Sequence, residues 1–366
     1  MKIIQIISSL SSGGAERFVV NLSNQLVKEG HEVTVCTLND NENINFNKQF
    51  ISKEIVYHSF QVHGKNILSI WYDLYIFFLK EKPDVIHCHL AVLQYVFPFC
   101  LLRSRVKMVH TIHSMPEYAS GGTIWHAALF RLLYRTKLAI PVSISEECHR
   151  GYRDFYHLTN DIVIENGVPQ VVTSSNLENV KQEVGKFKAS ASTKVFVHVA
   201  RCHEQKQQRI LVEAFNKLNK EGIDFTLLII GAGFNSVYGM ELQHLACDKI
   251  HFLGEKRNVG DYLMLSDYFC LSSRNEGLPI SLLEAMSVGI TPICTPVGGV
   301  KNVIIHGVNG YLANTVSVND YYKALQFAIH KTIDKNEIIN SYKLHYSMEN
   351  CSREYIELFN IIKQDK

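Results

Sequence analysis

The residues best suited to chemistry in this sequence fall in one run, Arg274-Asn275-Glu276-Gly277-Leu278-Pro279-Ile280-Ser281-Leu282-Leu283-Glu284. Pro279 fits the first turn of a helix, where its missing N–H has no helical partner to lose, and Gly289 can close that helix. The amides of residues 277 to 280 would then face outward at the positive end of the helix dipole, a ready site for a diphosphate. Glu276 stands just before the helix and Glu284 inside it, so the two can reach different ends of one ligand. Equally, Glu276 can be a dipole partner and Glu284 a surface side chain; spacing alone leaves both readings open. A second run, Ala200-Arg201-Cys202-His203-Glu204-Gln205-Lys206, puts an Arg fork and a mobile Lys charge after a strand, where α/β proteins bind ligands. In isolation it could be a solvated basic loop. A third, Ser11-Ser12-Gly13-Gly14-Ala15-Glu16-Arg17, carries paired glycines that let backbone approach a ligand. It lacks the full GxGxxG spacing, as does Gly231-Ala232-Gly233, and each alone supports only a tight turn.

The elements that must position these runs alternate from the start of the chain. Strands are expected near 2–7, 32–38, 84–89, 107–112 and 138–142, with helices near 15–29, 67–80, 91–102, 123–135 and 145–154, the pattern of a parallel α/β sheet. Around Asn166-Gly167-Val168-Pro169 the pattern breaks, and 170–193 is polar with little periodicity, as in a linker. It then restarts, with strands near 194–200, 225–230, 250–253, 268–271 and 291–294. Helices are expected between them near 207–220, 258–265, 279–288 and 318–330. The expectation is a first doubly wound domain over 1–168, a linker over 169–193 and a second domain over 194–349. A last helix over 350–366 would pack back across the junction.

Composition narrows the function. The 366 residues are enough for two α/β domains, and 46% apolar residues allow each a core. The net charge is +2, and residues 1–168 hold 16 basic against 15 acidic side chains. Neither half is a nucleic-acid binder on that balance. Nine cysteines without a CxxC pair read as buried thiols of a cytoplasmic protein. The longest apolar stretch, 91–102, is well short of the ~20 residues of a membrane span. No Asp-x-Asp occurs, and His87-Cys88-His89 places two ring ligands on one strand face without further candidates, a poor metal site. Between 103 and 137, Arg103, Arg105, Lys107, Arg131, Arg135 and Lys137 are interleaved with Trp125, Phe130, Leu132, Leu133 and Tyr134. Such a surface can lie on an anionic membrane and meet a lipid-linked acceptor, or it can be a helix covering the sheet.

In this order, on this strand pattern, the three runs resemble the retaining GT-B glycosyltransferases of family 4. The most specific part is the E-x7-E element from Glu276 to Glu284, followed by Gly289, Pro292 and Gly298-Gly299. Arg201 and Lys206 match the family's phosphate-binding pair, and Gly13-Gly14-Ala15-Glu16-Arg17 its first glycine loop. Val109-His110-Thr111-Ile112-His113 matches the strand ending in an active-site histidine, and Asn166-Gly167-Val168 the end of the first domain. The chain departs from the family at Ala200 and Gln207, where Gly is usual, and at Asn302, where an acid is common. The resemblance implies two facing Rossmann-like domains with a nucleotide-diphosphate sugar in the cleft between them. Arg201 and Lys206 would hold the diphosphate and stabilise the leaving group, and Glu284 would bond the ribose. Glu276, with the amides of Gly277 and Leu278 beside Pro279, would hold the sugar; His113 would touch that sugar, and Gly14 would approach the phosphates. No metal or other cofactor is expected, since Arg201, Lys206 and the helix N-terminus can carry the charge. By family frequency the donor would be a UDP-hexose or UDP-N-acetylhexosamine and the acceptor a glycan or lipid-linked one, in surface polysaccharide synthesis. Rival readings are a sugar-nucleotide epimerase or phosphorylase of the same plan, a dehydrogenase using Asp40, or a silent nucleotide-sugar-binding partner. The dehydrogenase leaves Glu276 to Glu284 unexplained, and the four intact charged residues argue against the silent partner.

Overall fold

The computed structural model describes residues 1–11, 13–40, 46–103, 106–119 and 123–364, so Ser12 and Arg105 lie outside the described residues. The chain forms two compact units. Unit 1 comprises Met1–Val168 and Ser347–Lys366, and unit 2 comprises Pro169–Tyr346.

Unit 1 is built on a seven-stranded parallel sheet of β1 (Lys2–Ile7), β2 (Glu32–Thr37), β3 (Val56–Ser59), β4 (Val85–His89), β5 (Lys107–Ile112), β6 (Ala139–Ser143) and β7 (Ile162–Val163). Its order is β3-β2-β1-β4-β5-β6-β7, so chain direction across the sheet reverses between β1 and β4. Alternation gives the sheet two different faces. Ile4, Ile6, Ile86, Cys88, Met108 and Ile112 join an apolar core that also contains buried residues of the helices Ile67–Glu81, Leu93–Leu102 and Ile124–Arg135. The opposite face carries Gln5, His87, His89 and Thr111, all fully buried.

That polar face is closed by the first helix, Gly14–Lys28, and the last, Met348–Gln364. Phe18 of the first helix meets His113 edge-on at 5.4 Å. Tyr355 and Phe359 of the last helix lie 4.9 and 5.6 Å from His87. The Tyr355 hydroxyl bonds the Thr111 hydroxyl at 2.8 Å, Ser352 donates to Glu29 at 2.8 Å, and Lys363 pairs with Asp84 at 3.1 Å. The last helix therefore belongs to unit 1. It arrives through a short bridge between Val168 and Ser347, beside Gly167, where a Cβ would sit 2.6 Å from the Cβ of Cys351 and 2.7 Å from the Ser347 carbonyl. Only glycine allows that approach.

Unit 2 has a six-stranded parallel sheet of β8 (Lys194–Val199), β9 (Phe225–Ile230), β10 (Ile250–Gly254), β11 (Tyr268–Leu271), β12 (Thr291–Cys294) and β13 (Tyr311–Leu312), in the order β10-β9-β8-β11-β12-β13. Its reversal falls between β8 and β11. The segment 169–193, expected as a linker, contains the helix Leu177–Gly185 and is anchored to unit 2. The Val171 amide donates to Ser287 at 3.1 Å, and Ser174 gives Asp261 two bonds, of 2.7 Å from its amide and 2.5 Å from its hydroxyl. Val180 and Val184 bury one stripe of that short helix, while its polar face hid the period from the sequence.

Candidate functional site

In doubly wound sheets the loops at the carboxyl ends of the strands flanking the reversal diverge and leave a crevice for ligands. In unit 2 those loops follow β8 and β11, and they carry the two charged runs. After β8, His203 starts a single 3₁₀ turn, Glu204–Lys206, its ring Nδ1 accepting from the Gln205 amide at 3.2 Å. Gln207 then takes a left-handed conformation, φ 49°, and the helix Gln208–Lys220 begins. This explains why a glycine is at home at position 207. After β11, the chain runs through Ser272–Pro279 into the helix Ile280–Ser287; Pro279 stands at the N-cap, one residue ahead of the first-turn place expected for it.

The two loops are stitched together. Ser272 Oγ donates to the Lys206 carbonyl at 2.9 Å, and the Arg274 amide donates to the Gln205 carbonyl at 2.7 Å. The result is that Lys206 Nζ reaches Glu276 Oε1 at 2.6 Å. Ser273 Oγ donates to the same oxygen at 2.5 Å. Oε1 is thus held by two donors, while no bond to Oε2 occurs among the described residues. The Glu276 side chain is 9% exposed and that of Lys206 24%, so the pair is largely withdrawn from water yet reachable. Arg201 is exposed on the same loop. Its carbonyl accepts from Gln208 Nε2 at 2.9 Å; Gln208 is fully buried and also faces His198, whose Nδ1 donates to the Cys270 carbonyl at 2.8 Å. Burial lowers the His198 pKa to about 4.

A third loop, after β12, supports the second. Gly298 lies so close to the Glu276 carbonyl that a Cβ there would come within 1.7 Å of it, and the Gly299 amide donates to the Gly277 carbonyl at 2.9 Å. Gly298 has φ +46°, and the Gly-Gly pair holds the backbone from which Glu276 projects. Leu278 and Pro279 are buried, Gly277 and Glu284 partly exposed. Glu284 lies inside the helix Ile280–Ser287.

In unit 1 the reversal falls beside the glycine loop and the histidines. Gly13 caps the helix Gly14–Lys28 in an extended conformation, its Cβ position lying 2.2 Å from Glu16 Oε2, and Gly14 is exposed at the first helical position. His113 follows β5 directly. Its Nε2 bonds His89 Nδ1 at 2.9 Å, and His89 Nε2 bonds Gln5 Oε1 at 2.7 Å. His87 Nε2 bonds Thr111 at 2.7 Å, and His110, on the other face, bonds Tyr134 and the Leu90 carbonyl at 2.7 Å each. Desolvation lowers all four histidines: His113 to about 3, with a further push from His110; His110 to about 4, against its bond to Leu90; His87 and His89 well below the usual range. All are neutral at ordinary pH. His87 Nε2 and both His89 ring nitrogens are thus bonded inside the protein. Among the described residues His87 Nδ1 is buried without a partner, and no cluster of three or more His, Cys, Asp or Glu placed to hold a metal occurs. The supports Gln5, Ser273 and Gln208 were unforeseen in the sequence, and His89 was singled out there only as a poor metal ligand. Gln5 and Gln208 are the only two of these whose type gave a signal, since a polar amide in an apolar strand or helix stripe asks for a buried partner.

Comparisons with known proteins identify the family and the fold. The profile described as "Glycosyl transferases group 1" matches residues 180–345, and that described as "Glycosyltransferase Family 4" matches residues 12–170. The chain belongs to this glycosyltransferase family and is a glycosyltransferase. It is 26% identical to the N-acetyl-alpha-D-glucosaminyl L-malate synthase of Bacillus anthracis, over 97% of this chain and 96% of that protein. It is 24% identical to the UDP-Gal:alpha-D-GlcNAc-diphosphoundecaprenol alpha-1,3-galactosyltransferase of Escherichia coli, over 80% of this chain and 76% of that one. Among solved structures, a glycosyltransferase from Rickettsia africae superposes with a TM-score of 0.81 at 18% identity, covering 100% of this chain and 99% of that one. Anabaena HepE in complex with UDP and glucose superposes with a TM-score of 0.79 at 17% identity, covering 98% and 99%. At that identity the likeness establishes the shared fold, GT-B.

Proposed function

We propose that the enzyme moves a sugar from a nucleoside-diphosphate donor to a glycan or lipid-linked acceptor with retention of anomeric configuration. The observation that carries this reading is the stitched pair of loops at the reversal of the second sheet, which brings Lys206 to Glu276 beside the exposed Arg201. Departure of a nucleoside diphosphate needs charge stabilisation more than a strong nucleophile, and Arg201 and Lys206 supply it without a metal. Glu276 gives its second oxygen to the sugar, aided by the amides of Gly277 and Leu278. Glu284 bonds the ribose, Gly13 and Gly14 approach the phosphates, and His113 touches the sugar. A donor phosphate oxygen then accepts the acceptor's proton on the front face. A UDP-hexose or UDP-N-acetylhexosamine donor is supported by the UDP-Gal, the UDP with glucose and the N-acetylglucosaminyl group in the names above; the role proposed with it is surface polysaccharide synthesis.

The test is a contrast between two carboxylates. Glu284→Gln should weaken binding of the bare nucleoside diphosphate, while Glu276→Gln should leave that binding almost unchanged and depress transfer. A charged hydrogen bond is worth ~1.5–3 kcal/mol, well within calorimetric reach. Equal losses of nucleotide affinity in both variants would refute the assignment. Early product analysed by NMR must retain the donor's configuration and form in EDTA.

The surface over 103–137 supports a location on the cytoplasmic face of an anionic membrane. Ile124 and Trp125 are each 86% exposed and Leu132 57%, beside exposed Arg103, Arg131, Arg135 and Lys137. Phe130, Leu133 and Tyr134 of the same helix are instead buried in the core. No helix among the described residues is long and apolar enough to cross a membrane. Trp125→Ala should reduce sedimentation with phosphatidylglycerol vesicles; unchanged sedimentation rejects this location.

A further inference from the structure

Three side chains of unit 1 form a row, two of them buried, that ends at the part-exposed His113. Gln5 and His89 are fully buried, and the spacings along the row are 2.7 Å from Gln5 Oε1 to His89 Nε2 and 2.9 Å from His89 Nδ1 to His113 Nε2. We infer that Gln5 and His89 are positioning residues that fix His113 in its Nε2–H tautomer and leave its Nδ1 bare as a hydrogen-bond acceptor. The inference rests on the proposed contact between His113 and the donor sugar, and says which atom makes it and in which state.

The direction of each bond follows from the chemistry of the row. An amide oxygen only accepts, so His89 must donate from Nε2. A neutral imidazole has one N–H, so His89 Nδ1 is bare and must accept from His113 Nε2–H. His113, neutral in turn, has no proton left for Nδ1. No bond to that Nδ1 occurs among the described residues. No acidic side chain bonds any of the three residues among the described residues, and desolvation keeps both rings neutral. The rings are also held mechanically. Phe18 packs edge-on against His113 at 5.4 Å and His89 at 6.3 Å, and His87 lies 4.1 Å from His89 on its other side. His87 Nε2 is bonded to Thr111, itself bonded to Tyr355. His87 Nδ1 is buried without a partner among the described residues, and both His89 nitrogens are taken by Gln5 and His113. The consequence is a demand on the substrate: the group facing Nδ1 must be a donor, as a sugar hydroxyl is, and not an acceptor.

The experiment is a long-range proton–nitrogen correlation spectrum of the full chain labelled with ¹⁵N-histidine, with the His113 signals assigned by their loss in His113→Asn. In the unsubstituted protein at neutral pH, His113 should show a protonated Nε2 and a bare Nδ1. An Nδ1–H form, as a reversed Gln5 amide would impose, or averaged signals from both tautomers, overturns the inference with no variant needed beyond the His113→Asn used for assignment. Gln5→Met, which keeps the length but removes the acceptor, should average the His113 tautomers and lower kcat by about 10–100-fold, the usual worth of partners that orient a working histidine. Nucleoside-diphosphate affinity should not change. Gln5→Glu, an acceptor at the same place, should retain the tautomer. A Gln5→Met protein with an unchanged His113 spectrum refutes the positioning role. If His113→Asn transfers sugar normally, the proposed sugar contact fails instead, while the tautomer assignment stands on its own spectrum.

Discussion

At the reversal of the first sheet the polar groups are neutral rings, and at the reversal of the second they are full charges. Unit 1 settles most of its buried polar face internally: Gln5, His89 and His113 form one bonded row and His87, Thr111 and Tyr355 another, with Gln5 Nε2 and His87 Nδ1 left without a partner among the described residues. Unit 2 leaves work undone, with Lys206 closed on one oxygen of Glu276 and Arg201 exposed beside it. One parallel plan therefore serves two purposes. A neutral network needs no counter-charge at folding even where single atoms such as these two stay without a partner, whereas the proposed diphosphate site would be completed by its ligand.

Acid should separate the two units most strongly. A histidine with a folded pKa below its ordinary 6.5 takes up a proton only on unfolding. Its stabilisation is full above pH 6.5 and falls below it until the folded value is reached, about 4 for His110 and about 3 for His113. Each such group removes up to ~1.4 kcal/mol per pH unit in that window. Among the described residues unit 1 has six of them, His31, His58, His87, His89, His110 and His113, and unit 2 has two, His198 and His251. Unit 2's depressed carboxylates act in a lower window. Burial raises Asp261, but bonds from Ser174 and Asn258 outweigh it and hold it below 3.8. Burial likewise raises Glu183, but Tyr262 and Lys256 outweigh it and hold it below 4.5. Between pH 6.5 and 5 unit 1 should open first. Both tryptophans, Trp71 and Trp125, lie in unit 1, so their fluorescence follows it alone, and amide exchange follows unit 2. Simultaneous loss of both units would erase the contrast.

The next effect is catalytic and confined to unit 2. Lys206→Ala should lower kcat by about 10²-fold or more, the scale for losing one preorganised stabiliser of leaving-group charge, with the melting temperature little changed. Near-normal turnover would remove Lys206 from the site. Gly167→Ala should then cost unit 1 about 1–3 kcal/mol, the range for overpacking, because the new methyl meets Cys351 and the Ser347 carbonyl. Its loss should appear in tryptophan fluorescence and not in nucleoside-diphosphate binding. The smallest change is Gln207→Gly, which relieves a left-handed residue worth roughly 1 kcal/mol, partly offset by glycine's freedom in the unfolded chain. Unit 2 should gain a fraction of that in denaturant melts, and a loss would mean the Gln207 side chain contributes more than its backbone costs.

The central strands of both sheets were legible because they are buried on both faces and read as short apolar runs. Lys2–Ile7, Lys107–Ile112 and Phe225–Ile230 fall where expected. The edges were not. Val56–Ser59 is partly exposed, with Val56 60% open, and Ile162–Val163 and Tyr311–Leu312 have two residues each, too few for any period. The helices Val237–Leu245 and Lys335–His345 escaped because each buries only two residues. At the site, the charged residues declared themselves by type and spacing. The Lys206–Glu276 contact did not, since it depends on backbone bonds between loops about 70 residues apart. Nor did the row from Gln5 to His113, which requires three strands to lie side by side before any pair of its members can meet.

The return of the last helix to unit 1 also sets an order of events during synthesis. A ribosome delivers all of Pro169–Tyr346 before it delivers Ser347, so unit 2 has its whole sequence in hand while unit 1 still waits for one wall. Until Tyr355 and Phe359 arrive, His87 and Thr111 face solvent on an uncovered sheet. The domain that starts first is thus the one that finishes last. A nascent chain halted near residue 346 should hold a protease-resistant unit 2 beside an open, chaperone-binding unit 1.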